Sequence, residues 1–122
     1  MEHVQEQHGV IRAWGTGYFV TAELGPLMME DRYFAVTDTC LAWGIDPYMA
    51  YVEVDFRDNY QIDIEQVADG SWSIALLPVS RSSHDTRSPR LFNFAKVFGG
   101  DLKTSREVAQ FLGTRFPRHD GA

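Results

Sequence analysis

Residues 50–78 read AYVEVDFRDNYQIDIEQVADGSWSIALLP, and this stretch decides the fold class that the sequence predicts. Apolar and polar residues alternate with period two in three successive runs, which begin near Val52, Tyr60 and Trp72. Such alternation is typical of half-buried strands, because successive side chains point to opposite faces of a sheet. Polar turn residues separate the runs. The stretch therefore predicts a three-stranded antiparallel meander with one apolar face.

The two turns of the predicted meander set its register. Directly opposed residues of an antiparallel pair share a face, so a three-residue loop at 57–59 is expected to pair Val54 with Ile62. A second three-residue loop at 68–70 is expected to pair Ile64 with Ile74 and to place Gly70 in the left-handed conformation. Both turns agree with a single apolar face across the three strands.

The flanking segments predict one more hairpin and three helices. Two runs rich in aromatic and β-branched residues, 10–14 and 18–22, predict a hairpin with Gly15-Thr16-Gly17 as its loop. Apolar residues at helical spacing predict a helix over 27–43, and a second helix over 89–98. Thr104 followed by Glu107 is a capping box, which predicts the start of the last helix.

The expected architecture is an α+β fold in the order β-β-α-β-β-β-α-α. In this prediction an antiparallel three-stranded meander, with the N-terminal hairpin as a candidate extension, is packed on one face by helices. The apolar residues expected in the core are Phe34, Leu41, Val52, Val54, Phe56, Ile62, Ile64, Trp72, Ile74, Leu76, Phe94, Phe98, Val108 and Phe111. The whole chain, 1–122, is expected to form a single domain, in which 1–8 are frayed and 78–88 are a polar loop.

Composition favours an ordinary globular protein and excludes several classes. The chain is 44% hydrophobic and 23% charged, and its single cysteine, Cys40, allows no internal disulfide. No run approaches the ~18 apolar residues of a membrane-spanning helix. The first six residues are polar and acidic, unlike a secretory signal, so we expect a cytoplasmic protein without membrane contact.

Charge is distributed unevenly along the chain, whose net charge is −6. Residues 1–77 hold 13 acidic and 3 basic residues, whereas 78–122 hold 4 acidic and 8 basic residues. Such asymmetry indicates a charged partner, unless the basic end packs beside the acidic part and neutralises it. Direct nucleic-acid binding is not expected, since the overall charge has the wrong sign.

Four acidic residues form a candidate binding stripe on the polar face of the meander. In the predicted register Glu53 lies opposite Asp63, with Asp55 and Glu65 beside them. Opposed like charges destabilise a sheet, which favours a use for the stripe as a docking surface for a basic protein, with Tyr51 as an aromatic anchor. Two alternatives remain open: a solvated face without a ligand, and a Ca²⁺ or Mg²⁺ site.

The basic end carries a second candidate site. The candidate anion ligands are Arg81, His84, Arg87 and Arg90, around a predicted helix start at Ser88. Arginines at a helix N-terminus suit phosphate and other anions, and the alternative is a solvated loop.

The sequence therefore supports two functional hypotheses. The first is a non-catalytic acidic interaction module of the inhibitor, immunity or adaptor type, which docks on a basic partner such as a nucleic-acid-handling enzyme. The alternative is a small enzyme or ligand-binding domain with an anion-binding loop at 78–90. We expect no catalytic residues, no metal ligands and no cofactor, because no motif for them is present. Abundant aromatic residues make a homodimer a further candidate.

Overall fold

One seven-stranded sheet and one helix make up the described part of the chain. The structure, a computed structural model, describes residues 9–21, 31–46, 49–68, 70–79 and 89–118, with the backbone alone at 20–21, 31, 45–46 and 49–53. The elements are β1 (Ala13–Thr21), β2 (Asp31–Val36), β3 (Cys40–Asp46), β4 (Met49–Asp55), β5 (Tyr60–Gln66), β6 (Trp72–Pro78), β7 (Arg90–Gly100) and α1 (Ser105–Gly113).

The sheet joins two meanders through its first and last strands. The spatial order is β4-β3-β2-β1-β7-β6-β5, and every neighbouring pair is antiparallel. The sheet curls into a half-barrel, and α1 packs on its concave side against β5, β6 and β7. The predicted α+β architecture in the order β-β-α-β-β-β-α-α is therefore wrong, because the described chain is mostly sheet with one short helix.

β1 is one continuous strand, so the predicted N-terminal hairpin is wrong. The register of β1 against β7 shifts twice, between Trp14 and Gly15 and between Thr16 and Tyr18. Each shift places an extra residue on β7, which is the geometry of a β-bulge. A Cβ atom at Gly15 or Gly17 would overlap a carbonyl oxygen of β7. The two glycines therefore admit the close backbone approach of a bent strand pair rather than a turn.

The predicted helix over 27–43 is wrong, because β2 and β3 form a hairpin there. The tight turn between them is stabilised by Thr37, whose hydroxyl oxygen accepts hydrogen bonds from the backbone N–H groups of Thr39 and Cys40, both at 3.2 Å. Phe34 pairs with Trp43 on the concave side of the sheet, and Ala35 pairs with Ala42 on the convex side. The aromatic and β-branched residues of this stretch favour strands as strongly as their spacing favours a helix.

The predicted helix over 89–98 is also wrong, since this segment lies in β7, the longest strand. Phe92 and Phe94 are fully buried on the concave face, two residues apart, as the strand period requires. Phe98, which was expected in the core, lies in a bulge with 54% of its surface exposed. It contacts the edge of the Trp14 ring, with 5.4 Å between the ring centroids.

Two local predictions are confirmed. Ile64 pairs with Ile74 and Ile62 pairs with Leu76, and Gly70 has a φ of +88°. The last helix begins at its predicted cap, where the Thr104 hydroxyl accepts a hydrogen bond from the Glu107 N–H at 3.1 Å. The predicted pairing of the strands before and after residues 57–59 is wrong, because β4 and β5 are the two edges of the sheet.

The core fills the concave side of the half-barrel. Aromatic rings from the central strands contact one another, and the Phe34 and Phe94 centroids are 4.9 Å apart. Val108 and Leu112 of α1 pack on the concave side of the sheet and are fully buried. Most predicted core residues are buried or packed against this cluster: Phe34, Leu41, Val54, Phe56, Ile62, Ile64, Trp72, Ile74, Leu76, Phe94, Val108 and Phe111.

Both edges of the sheet are irregular. At β5 the Ile62 N–H donates to the Pro117 carbonyl oxygen at 2.9 Å, and Ile62 forms a parallel bridge with Arg118. At β4 the register shifts, so that Leu41 pairs with Val54 and the next residue pairs with Val52. The backbone of Glu53 is left as the extra residue of this bulge.

The glycine bulges yield a stability prediction. Gly17→Ala is expected to lower the free energy of unfolding by about 1–3 kcal/mol, because the added methyl group overlaps the Asn93 carbonyl oxygen. Thr16→Ala is the matched control. It is expected to lower the free energy of unfolding by less than about 1 kcal/mol, because the Thr16 side chain is half-buried on the convex side of the sheet. Urea unfolding of both variants measures the difference. Equal losses would contradict the assigned role of Gly17.

Candidate interaction surface

The outer face of the sheet, on the side away from α1, presents an ordered pattern of side chains. We define the outer face as seven described outward residues of β5, β6, β7 and β1, which are Asp63, Glu65, Ser73, Ala75, Leu91, Asn93 and Tyr18; Gln61 and Leu77 form the next row on the same side. The strand registers place the seven residues in two rows across the strands. One row runs Asp63, Ala75, Leu91, and the other runs Glu65, Ser73, Asn93, Tyr18. Neighbouring positions in a row are about 4.8 Å apart.

The acidic end of the outer face lies on the edge strand β5. Asp63 and Glu65 are exposed and point to the same side, about 6.7 Å apart along the strand. Within the described residues, neither carboxylate takes part in an ion pair. The local negative charge is therefore available to a cation from outside the described chain.

The other end of the outer face is apolar. Leu91 is 49% exposed and Tyr18 is 36% exposed, and both belong to the large hydrophobic residues that remain at the surface. Asn93 lies between them and is held in place by a hydrogen bond from its Nδ2 to the Ser71 hydroxyl oxygen at 2.9 Å. An apolar centre beside charged residues is the composition of a protein interface.

The acidic stripe expected from the sequence is divided by the fold. Asp63 and Glu65 lie on β5, whereas Tyr51, Glu53 and Asp55 lie on β4 at the opposite edge. The predicted opposition of Glu53 and Asp63 is therefore wrong, because their strands do not pair. The side chains of Tyr51 and Glu53 lie outside the described residues.

Asp55 is held within its own turn. Its Oδ1 accepts hydrogen bonds from the backbone N–H of Arg57 at 2.8 Å and from the Arg57 Nε at 3.0 Å, and its Oδ2 accepts from Nη2 at 2.8 Å. The paired carboxylate raises the pKa of the Arg57 guanidinium. Since this carboxylate is already engaged, Asp55 is a poor candidate for contact with a cationic partner.

The basic candidate site is only partly described. Arg81, His84 and Arg87 lie outside the described residues. Arg90 is the first residue of β7 and pairs with Leu76, so the predicted helix start beside it is wrong. Arg90 therefore lies in a strand and not at a helix N-terminus that could support anion binding.

A groove of about 650 Å³ lies at one end of the half-barrel. It is bounded by the β2–β3 turn, the β4–β5 turn and the end of α1, and its polar lining residues are Asp38, Thr39, Asp55, Arg57, Thr114 and Arg115. The charges in the groove largely neutralise one another, since Asp55 binds Arg57 and Asp38 lies 3.6 Å from Arg115.

Arg12 links this groove to the two halves of the sheet. Its guanidinium binds both Asp101 carboxylate oxygens at 2.9–3.0 Å and the Asp38 Oδ1 at 2.7 Å. It also lies over the Phe111 ring, 4.9 Å from the centroid, and Arg115 lies 4.8 Å from the same centroid. The hydrogen bonds that Arg12 donates lower the pKa of Asp101, and the carboxylates of Asp101 and Asp38 that accept them raise the pKa of Arg12. This network ties the start of β1 to the β2–β3 turn and the β7–α1 connection.

The described ranges hold neither a candidate metal site nor a candidate membrane-spanning helix. No group of three or more His, Cys, Asp or Glu side chains there is placed to hold a metal ion. No described helix has the length and apolar character needed to cross a membrane. No family model, curated protein or solved structure matches the chain.

The apolar half of the outer face is what sequence reasoning missed. Leu91 and Asn93 alternate with the buried Phe92 and Phe94, which is a strand signal of period two. Tyr18 alternates in the same way with Phe19, which packs against the core. Leu91 and Asn93 fall in a segment that was predicted to be a helix, whereas Tyr18 falls in a predicted strand whose pairing with β7 has no local signal.

The Arg12–Asp101 contact yields a pH prediction. The pKa of Asp101 is lowered in the folded state, so its stabilising effect is present at neutral pH and is lost as the pH falls below about 3.9, the ordinary value for aspartate. Asp101→Asn is therefore expected to lower the melting temperature at pH 7, and its difference from the wild type is expected to shrink as the pH falls below about 3.9.

Asp63→Asn is the matched control for this prediction, because its carboxylate has no ion pair with a described residue. Thermal unfolding followed by circular dichroism across this pH range measures both variants. A melting temperature of Asp101→Asn that equals the wild-type value at pH 7 would show that the Arg12 contact does not stabilise the fold.

Proposed function

We propose that this protein is a non-catalytic, cytoplasmic interaction module that docks the acidic end of its outer face on a basic partner protein. The observation that carries the proposal is the placement of Asp63 and Glu65. Both are exposed, without an ion pair to any described residue, on the same face as the exposed apolar Leu91 two strands away. Unpaired charge beside apolar surface favours encounter with a complementary partner and sets its orientation.

The chemistry of the partner follows from this surface. A partner must present lysine or arginine side chains to two carboxylates about 6.7 Å apart. Enzymes that handle nucleic acids carry such side chains, because they neutralise phosphates with them. An inhibitor, immunity protein or adaptor acting on an enzyme of this class would cover its basic surface. Asp55 is not included in the proposed contact, since Arg57 holds its carboxylate.

Neutralising the two carboxylates tests the proposal. The chain and its Asp63→Asn/Glu65→Gln variant are used as bait in a host lysate at low and high salt, and the affinity of each captured protein is then measured. The variant is expected to bind its partner at least about tenfold more weakly at low salt, and this difference is expected to shrink at high salt.

The matched control adds the same charge elsewhere. Val10→Lys/Gln110→Lys also changes the net charge by two, at exposed positions outside the outer face. It is expected to retain partner affinity within about twofold, because specific contacts rather than net charge determine binding. If both double variants lose partner affinity equally, or if neither loses it, the proposal that Asp63 and Glu65 make the contact is overturned.

A further inference from the structure

We draw no further inference here: the strongest candidate, the buried Nε1 of Trp43 on the concave side of β3, which has no hydrogen-bond partner among the described residues, is packed among the rings of Phe19, Phe34 and Phe92 and does not line the groove, so nothing in the described part of the chain shows that a ligand reaches it.

Discussion

The pairing of β1 with β7 is the constraint on which the rest of the structure depends. It joins the two meanders, because the strands of every other pair are consecutive along the chain. The pair is bent twice by bulges, and Gly15 and Gly17 lie where a side chain would meet the opposite backbone. Bulges increase the twist of a strand pair, so this junction contributes to the curl of the half-barrel. The concave side then holds the aromatic core, and the convex side is left open.

The outer face follows from the same junction. Because β7 lies between β6 and β1, residues distant in sequence become neighbours, and Tyr18 lies opposite Asn93. The exposed apolar residues of the two central strands thus come to lie beside the carboxylates of the edge strand β5. The Arg12 network is separate from this surface, since its partners lie at the turns and at the end of α1. The side chains of the Arg12 network and those of the proposed interaction surface are therefore different groups.

Sequence reasoning recovered what local patterns encode. Alternation over 60–78 predicts β5, β6 and their register, and Thr104 predicts the start of α1. The prediction was wrong for the segment that forms β7, because its apolar residues fit both a helix and a strand. Leu91, Phe94 and Phe98 have helical spacing, while Phe92 and Phe94 have strand spacing. It also failed for β4 and β5, because a turn between consecutive strands was taken to imply their pairing. The long-range β1–β7 contact leaves no local signal, so half of the candidate surface could not be predicted.

The irregular sheet edges bear on behaviour at high protein concentration. An open edge strand is a template for a strand of another molecule, and a curled open sheet has two such edges. Pro117 covers part of the β5 edge and has no N–H of its own to offer to a further strand. The bulge at Glu53 interrupts the regular hydrogen-bonding ladder at the β4 edge. Both features are ones by which natural sheets disfavour edge-to-edge association, so they act against fibril-like growth from the described edges.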